Sequence, residues 1–212
     1  TCNLPHGPTT SKPVVPLAVA WQVYFMGSMA SMSEISCDVI VIGAGPAGEV
    51  AAGRLADGGL EVVVVENHLV AGECSYYACM PSKALLRPGD LIDEARRIPG
   101  VKEAVTGDID VASALARRDE VIHDLDDSVQ LPWLEDKGIR LVRGSGKLTG
   151  EKTVTAGEHE ITASRAVVIS TGTRPAMPPI DGLADSSPWN NRDATTAKKA
   201  PASMLVLGGG PV

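Results

Sequence analysis

From residue 37 the chain alternates short, wholly apolar runs with longer segments whose apolar positions recur at helical spacing. "CDVIVIG" (37–43) is a β-branched run ending in Gly, and "LEVVVVE" (60–66) is a second such run. Each predicts a buried strand. Between them "AGPAGEVAAGRLADGG" repeats small and apolar residues at helical spacing and stops at Gly58-Gly59, which predicts a helix. Strand, helix and strand in succession predict a βαβ unit and a parallel sheet.

Further along, "PSKALLRPGDLIDEARRI" predicts a helix with Pro88 as a break point, and "DVASALARRDEVIHDLDDSVQLPWLEDKG" predicts one long amphipathic helix. "IRLVRGSGKL", "KTVTA" and "HEITASRAVVIS" read as strands separated by Gly-containing turns. "TGTRPAMPPIDGL" is a Pro-rich exit, and "ASMLVLGGGPV" opens another apolar strand.

The first 37 residues differ in kind. They are rich in Pro, Ser and Thr, with no charge between Lys12 and Glu34. Pro13, Pro16, Gln22 and Gly27 interrupt the apolar centre, which barely supplies the roughly 20 apolar residues of a spanning helix. A signal peptide cleaved near "SMA" (28–30) is the alternative, but Lys12 is its only basic residue and Thr1 opens the chain. Residues 1–35 are therefore read as a leader, disordered or not native, with a natural start at Met29 or Met32. Residues 36–200 are read as one domain and 201–212 as the first strand of another.

Composition narrows the function. Of 212 residues, 44% are hydrophobic and 21% charged, as in a soluble globular protein. Aromatic content of 3% and a net charge of -7 argue against nucleic acid, whose binders need positive charge and stacking platforms. No membrane partner is expected. Four cysteines are too few for a disulfide-stapled secreted scaffold of this size.

"VIVIGAGPAGEV" sets Gly43, Gly45 and Gly48 in G-x-G-x-x-G spacing between the first strand and its helix. There the first glycine permits a tight turn, the second admits a pyrophosphate, and the third lets helix and strand pack closely. The helix start adds amide donors and a positive dipole end. Glu66, closing the second strand, stands where a ribose diol would be bound. The residues predict a dinucleotide site without distinguishing FAD from NAD.

Cys74 and Cys79 lie five apart in "AGECSYYACMPSK". A zinc site needs four ligands, and no second Cys or His pair has suitable spacing; no metal is expected. His68, His123 and His159 read as solvated or capping residues. A structural disulfide stays open, although so short a loop would gain little from closure. A thiol pair for disulfide exchange is the favoured reading, because Pro81 puts Cys79 at a helix start, where the dipole favours a thiolate. Cys2 and Cys37 carry no signal of function.

Taken together and in this order, "DVIVIGAGPAGEVAA", "GECSYYACMPSKALL" and "AVVISTGTRPAMPPIDG" resemble the N-terminal part of the FAD-dependent pyridine nucleotide–disulfide oxidoreductases. This group includes dihydrolipoamide dehydrogenase, glutathione reductase and mercuric reductase. The resemblance covers roughly residues 36 to 212 and implies an α/β fold: a Rossmann-like FAD-binding domain with a parallel sheet and a small antiparallel segment. It further implies a redox disulfide, with Cys79 as the thiol beside the flavin, Cys74 as the interchange thiol and Lys83 near the flavin ring. Gly43, Gly45, Pro46, Ala47, Gly48 and Glu66 would hold the ADP half of FAD. Gly72, Glu73 and Cys74 would line the cofactor, as would Thr171 and Gly172, with Ser145 and Gly146 near the adenine.

Two departures bear on the substrate. Ala71-Gly72 replaces the family's Gly-Gly, and Ser75-Tyr76-Tyr77-Ala78 replaces its x-N-x-G between the cysteines. "VLGGGPV" looks like the opening of the family's NAD(P)H motif, so the chain is expected to be a fragment of a cytoplasmic homodimeric flavoenzyme. Its expected partners are NAD(P)H and a small-molecule or lipoyl disulfide or dithiol. Dihydrolipoamide dehydrogenase is the leading expectation and a mercuric-reductase-like or low-molecular-weight disulfide reductase the alternative. A non-catalytic FAD module and an NAD-binding domain with a structural disulfide are the remaining readings.

Overall fold

The computed structural model describes residues 32–209. The leader residues 1–31, with Cys2 and the signal-peptide reading, lie outside the described residues, as do Gly210, Pro211 and Val212. Six strands form one sheet in the order β3-β2-β1-β6-β5-β4. They are β1 (Ser33–Ile42), β2 (Val62–Glu66), β3 (Arg140–Arg143), β4 (Lys147–Gly150), β5 (Thr153–Ala156) and β6 (His159–Ile169). Strands β3, β2, β1 and β6 run parallel, whereas β6, β5 and β4 are joined antiparallel. The expected α/β architecture, parallel with a small antiparallel segment, is the one observed.

The apolar runs are continuous because β1 and β2 are buried on both faces. Ile40, Ile42, Val63 and Val65 belong to one cluster; Val39, Val41, Val62 and Val64 belong to the other, with Ala52 of helix α1 (Pro46–Asp57). The first cluster is completed by the sheet itself. A Cβ at Gly146 would lie 3.0 Å from Ile42, 3.2 Å from Val65 and 3.5 Å from Val154. In a flat sheet β2 and β5, three strands apart, would be separated by roughly 14 Å. The antiparallel end therefore curls back over the parallel strands.

Five further helices follow: the short α2 (Gly72–Tyr76), α3 (Cys79–Arg97), α4 (Val111–Val121), α5 (Leu131–Asp136) and α6 (Asn191–Thr196). Among the described residues no helix is long and apolar enough to cross a membrane.

Two expectations need correction, on Pro88 and on the long amphipathic helix. At the start of β1, Ser33, Glu34 and Ile35 pair with His159, Glu160 and Ile161. Pro88 does not break α3, which runs through it to Arg97 and packs along α4. Residues 201–209 form no strand; Leu205 and Val206 are 82% and 74% exposed, and among the described residues no strand pairs with them.

The long amphipathic helix is also two helices. Positive φ at His123, Asp124 and Leu125 ends the first, and the chain turns so that Asp126 caps Ser128 through its backbone N–H and hydroxyl. Asp127 Oδ2 then accepts the Val70 N–H at 2.7 Å and the Arg143 guanidinium at 2.7 Å. One carboxylate thus ties β3 to the loop that leads into the cysteines. Replacing Asp127 with Ala removes a charge-assisted hydrogen bond and leaves Arg143 only its bond to the His68 carbonyl, and it should lower unfolding free energy by about 1.5–3 kcal/mol. Urea denaturation reads this directly; a loss below about 0.5 kcal/mol, the level of an ordinary surface substitution, would contradict the tie.

Candidate functional site

All four parallel strands end along one edge, with Ile42 beside Val65 and Ile169, and Glu66 beside Arg143. Ligands of open α/β sheets bind at this carboxyl edge. Gly43, Glu66 and Thr171 stand at this edge.

The glycine turn is set by backbone contacts. A Cβ at Gly48 would stand 1.9 Å from the Gly43 carbonyl oxygen, so only glycine lets α1 fold back against the end of β1. Gly45 differs: nothing lies within 4 Å of its Cβ position, and that empty side is where a phosphate group could approach. No side chain caps α1, so its first-turn amides remain unpaired donors. Pro46 and Ala47 are exposed beside them.

Glu66 is buried at 8% exposure. Its Oε2 accepts the Ala44 N–H at 2.7 Å and its Oε1 the His68 N–H at 2.7 Å. Each oxygen keeps lone-pair capacity for a hydroxyl. The carboxylate thereby joins the glycine turn to the start of the cysteine segment. Ser170 Oγ is buried without a hydrogen-bond partner and lies 3.3 Å from the Gly48 Cβ position. An open glycine, uncapped amides, a part-satisfied carboxylate and an orphan hydroxyl fit a dinucleotide.

The remaining expected residues divide. Thr171 adjoins the turn, its Cα 3.1 Å from the Gly43 Cβ position, and Gly172 is exposed in a left-handed conformation. Ser145 is exposed, while Gly146 is packed on the sheet core as described above. Glu73 Oε1 pairs with Arg192, whose Nε is 2.6 Å away, and its Oε2 accepts from Asn191 at 3.4 Å. The ion pair ties this side chain to α6.

Gly72 brings the cysteines to the turn. A Cβ there would fall 2.8 Å from the Gly45 Cα, and the adjacent Ala71 N–H donates to the Ala44 carbonyl at 2.7 Å. Cys74 then lies in α2 and Cys79 opens α3, whose start has no side-chain cap. Both carry free thiols and are half-buried. The Cys74 thiol is raised above the usual thiol range, chiefly by its hydrogen bond with the Cys79 side chain and then by burial; the nearby Lys83 ammonium pulls it back. Lys83 is exposed on the wall of a cleft of about 460 Å³ that also includes Met80, Arg87 and Arg117.

Arg192, Asn191, Thr195 and the buried Arg118 did not appear in the sequence reading. Asn191, Arg192 and Thr195 meet the cysteine segment across more than a hundred residues, and Arg118 meets Thr195 and Ala197 from 77 and 79 residues away; no local spacing announces such contacts. His68, read as solvated or capping, is exposed yet stacks on Tyr77 with ring centroids 5.6 Å apart.

Residues 37–212 match the family described as pyridine nucleotide-disulphide oxidoreductase. The chain is 34% identical over 186 residues to a dihydrolipoyl dehydrogenase of Vibrio cholerae, covering 84% of this chain and 38% of that protein. It is 27% identical over 190 residues to a mercuric reductase of Lysinibacillus sphaericus, covering 89% of this chain and 35% of that protein. Among solved structures, the HOCl-induced flavoprotein disulfide reductase RclA from Escherichia coli has a similar fold. Its TM-score is 0.61 at 22% identity, over 76% of this chain and 34% of that one. The chain thus spans little more than a third of the length of these proteins.

The upward pull of Cys79 on the Cys74 thiol makes a testable demand. Cys79→Ala removes the largest cause that raises Cys74, so the pH profile of Cys74 alkylation by iodoacetamide should move to lower pH. An unmoved profile, or one moved upward, would mean that the two sulfurs do not interact.

Proposed function

The chain belongs to the pyridine nucleotide-disulphide oxidoreductase family, and on that premise we propose that it binds FAD and presents Cys74 and Cys79 as a redox-active pair. The observation that carries this reading is the contact of Gly72 with Gly45, which sets the cysteine segment against the dinucleotide turn. Gly43, Gly45, Gly48 and the first-turn amides of α1 would hold the pyrophosphate, Glu66 the ribose, and Thr171 and Gly172 the chain's close passage by the cofactor. Bound FAD would supply the two-electron chemistry that links the pair to a nicotinamide.

The chain's own residues carry the thiol steps. The Cys74 thiolate attacks one sulfur of a substrate disulfide and expels the other as a thiolate, forming a mixed disulfide. Cys79 resolves it, so the Cys74–Cys79 disulfide forms and the substrate leaves as two thiols. Two electrons pass to the substrate, and the two thiol protons go with it. A dithiol substrate runs the same exchange in reverse. Lys83 favours the attacking thiolate by its charge.

As substrate we propose a lipoyl disulfide or dithiol, on the higher identity to the dihydrolipoyl dehydrogenase. A mercuric-reductase-like or low-molecular-weight disulfide reductase is the alternative, supported by the 27% identity over 190 residues to the mercuric reductase. NAD(P)H as the second electron partner, a second copy as the partner subunit, and a cytoplasmic location belong to the same proposal.

Flavin absorbance of the purified chain titrated with FAD tests the cofactor. Gly45→Ala should weaken binding at least about tenfold, a loss of ~1.4 kcal/mol, and leave the urea midpoint nearly unchanged, since Gly45 has an ordinary φ of -74°. No FAD binding, or equal binding by the variant, would overturn the assignment. In the loaded chain, Cys79→Ser should abolish the long-wavelength thiolate-to-flavin band seen on partial reduction, and Cys74→Ser should retain it. A band that survived Cys79→Ser would reverse the two roles.

A further inference from the structure

A six-residue helix more than a hundred positions away grips the cysteine loop at both ends. Arg192 of α6 pairs through two nitrogens with Glu73, the residue before Cys74. At the other end, two residues before Cys79, the Tyr77 carbonyl lies 2.9 Å from Thr195 Oγ1 and accepts from Asn191 Nδ2 at 3.4 Å. The Thr195 hydroxyl proton is shared between that carbonyl and the Asn191 carbonyl of its own helix, at 2.8 Å. The Arg192 guanidinium also lies over the Tyr77 ring, 4.5 Å from its centroid, and the Tyr77 hydroxyl is 2.9 Å from His68 Nε2.

The gripping helix is itself anchored. Asn190 and Asp193 form a reciprocal capping box at its start. At its end, Arg118 is 0% exposed and donates to the carbonyls of Thr195 and Ala197, while its Nε pairs with Asp119 at 2.9 Å. A guanidinium is unfavourable to bury unless its donors are used, and these donors are used to hold α6 in place. Lys198 Nζ, 2.8 Å from Asp119, adds a second tie.

We propose that α6 is the positioning element of the Cys74–Cys79 pair: by holding Glu73 and Tyr77 it keeps the two sulfurs together and so favours their disulfide. The inference rests on the redox reading of that pair. In the gripped loop the Tyr77 and Ala78 N–H groups both donate to the Glu73 carbonyl, at 2.8 and 2.7 Å, so the residues preceding the two cysteines already lie side by side and a bond between the sulfurs closes with little movement of the backbone. A released loop samples conformations in which the sulfurs part, and ordering it again opposes closure. Arg192, Asn191 and Thr195 therefore act through the loop and touch neither sulfur's reaction partner.

The test equilibrates the 212-residue chain across a series of reduced-to-oxidised glutathione ratios and reads the disulfide by mass, located by fragmentation. In the reaction followed, the two thiols give two electrons and two protons to one oxidised glutathione, which leaves as two reduced molecules. Arg192→Gln and Thr195→Val should each lower the exchange equilibrium constant by about three- to tenfold, the larger being ~30 mV in potential. Arg165→Gln, which breaks the exposed pair with Asp38 elsewhere, should leave it unchanged. Thr195→Val keeps the side chain's shape and carries the test should Arg192→Gln fail to fold.

Constants equal to or above that of the unaltered chain, or an equal shift in Arg165→Gln, would overturn the positioning role alone. Were the unaltered chain to form no Cys74–Cys79 disulfide at any ratio, the redox reading would fall, and this role with it.

Discussion

The site depends on backbone approaching backbone more closely than any side chain allows. At Gly48 a Cβ would meet the Gly43 oxygen at 1.9 Å, and at Gly72 one would meet the Gly45 Cα at 2.8 Å. The first contact folds α1 back on the end of β1, and the second lays the cysteine segment on the resulting turn. Real Cβ atoms do not tolerate such distances, so both contacts require glycine. With them in place the uncapped helix start, the open face of Gly45 and the thiol pair occupy one end of the sheet.

Charge then fixes what the glycines bring together. Glu66 ties the turn to His68, Asp127 ties Val70 to β3, and Glu73 ties α2 to α6. All three carboxylates accept from groups on separate segments, and all three flank the path from β2 to Cys79. Hydrogen bonds to ionised groups are stronger than neutral ones and are screened less where the groups are partly buried. The loop carrying the cysteines is therefore held by defined donors along its length, though its secondary structure is only the five-residue α2.

What the sequence revealed follows from the range of the forces involved. The runs 39–42 and 62–65 were legible as strands because burial on both faces demands unbroken apolar side chains. Gly43, Gly45 and Gly48 were legible because the turn they make is local. The break after Val121 was not, since it answers to Asp127 reaching Val70, 57 residues back. The pairing of Glu73 with Arg192 spans 119 residues and has no periodicity; nothing short of the folded backbone brings them together. The apolar run at 204–207 carries a strand's pattern, and among the described residues no strand pairs with it.

The central claim, that the dinucleotide turn and the thiol pair form one site, is tested most directly by measuring alkylation rates of Cys74 and Cys79 with and without saturating FAD. The account predicts that FAD protects Cys79 strongly and Cys74 less. FAD that binds while both thiols react at their unliganded rates would contradict it, since the cofactor and the pair would then occupy separate places.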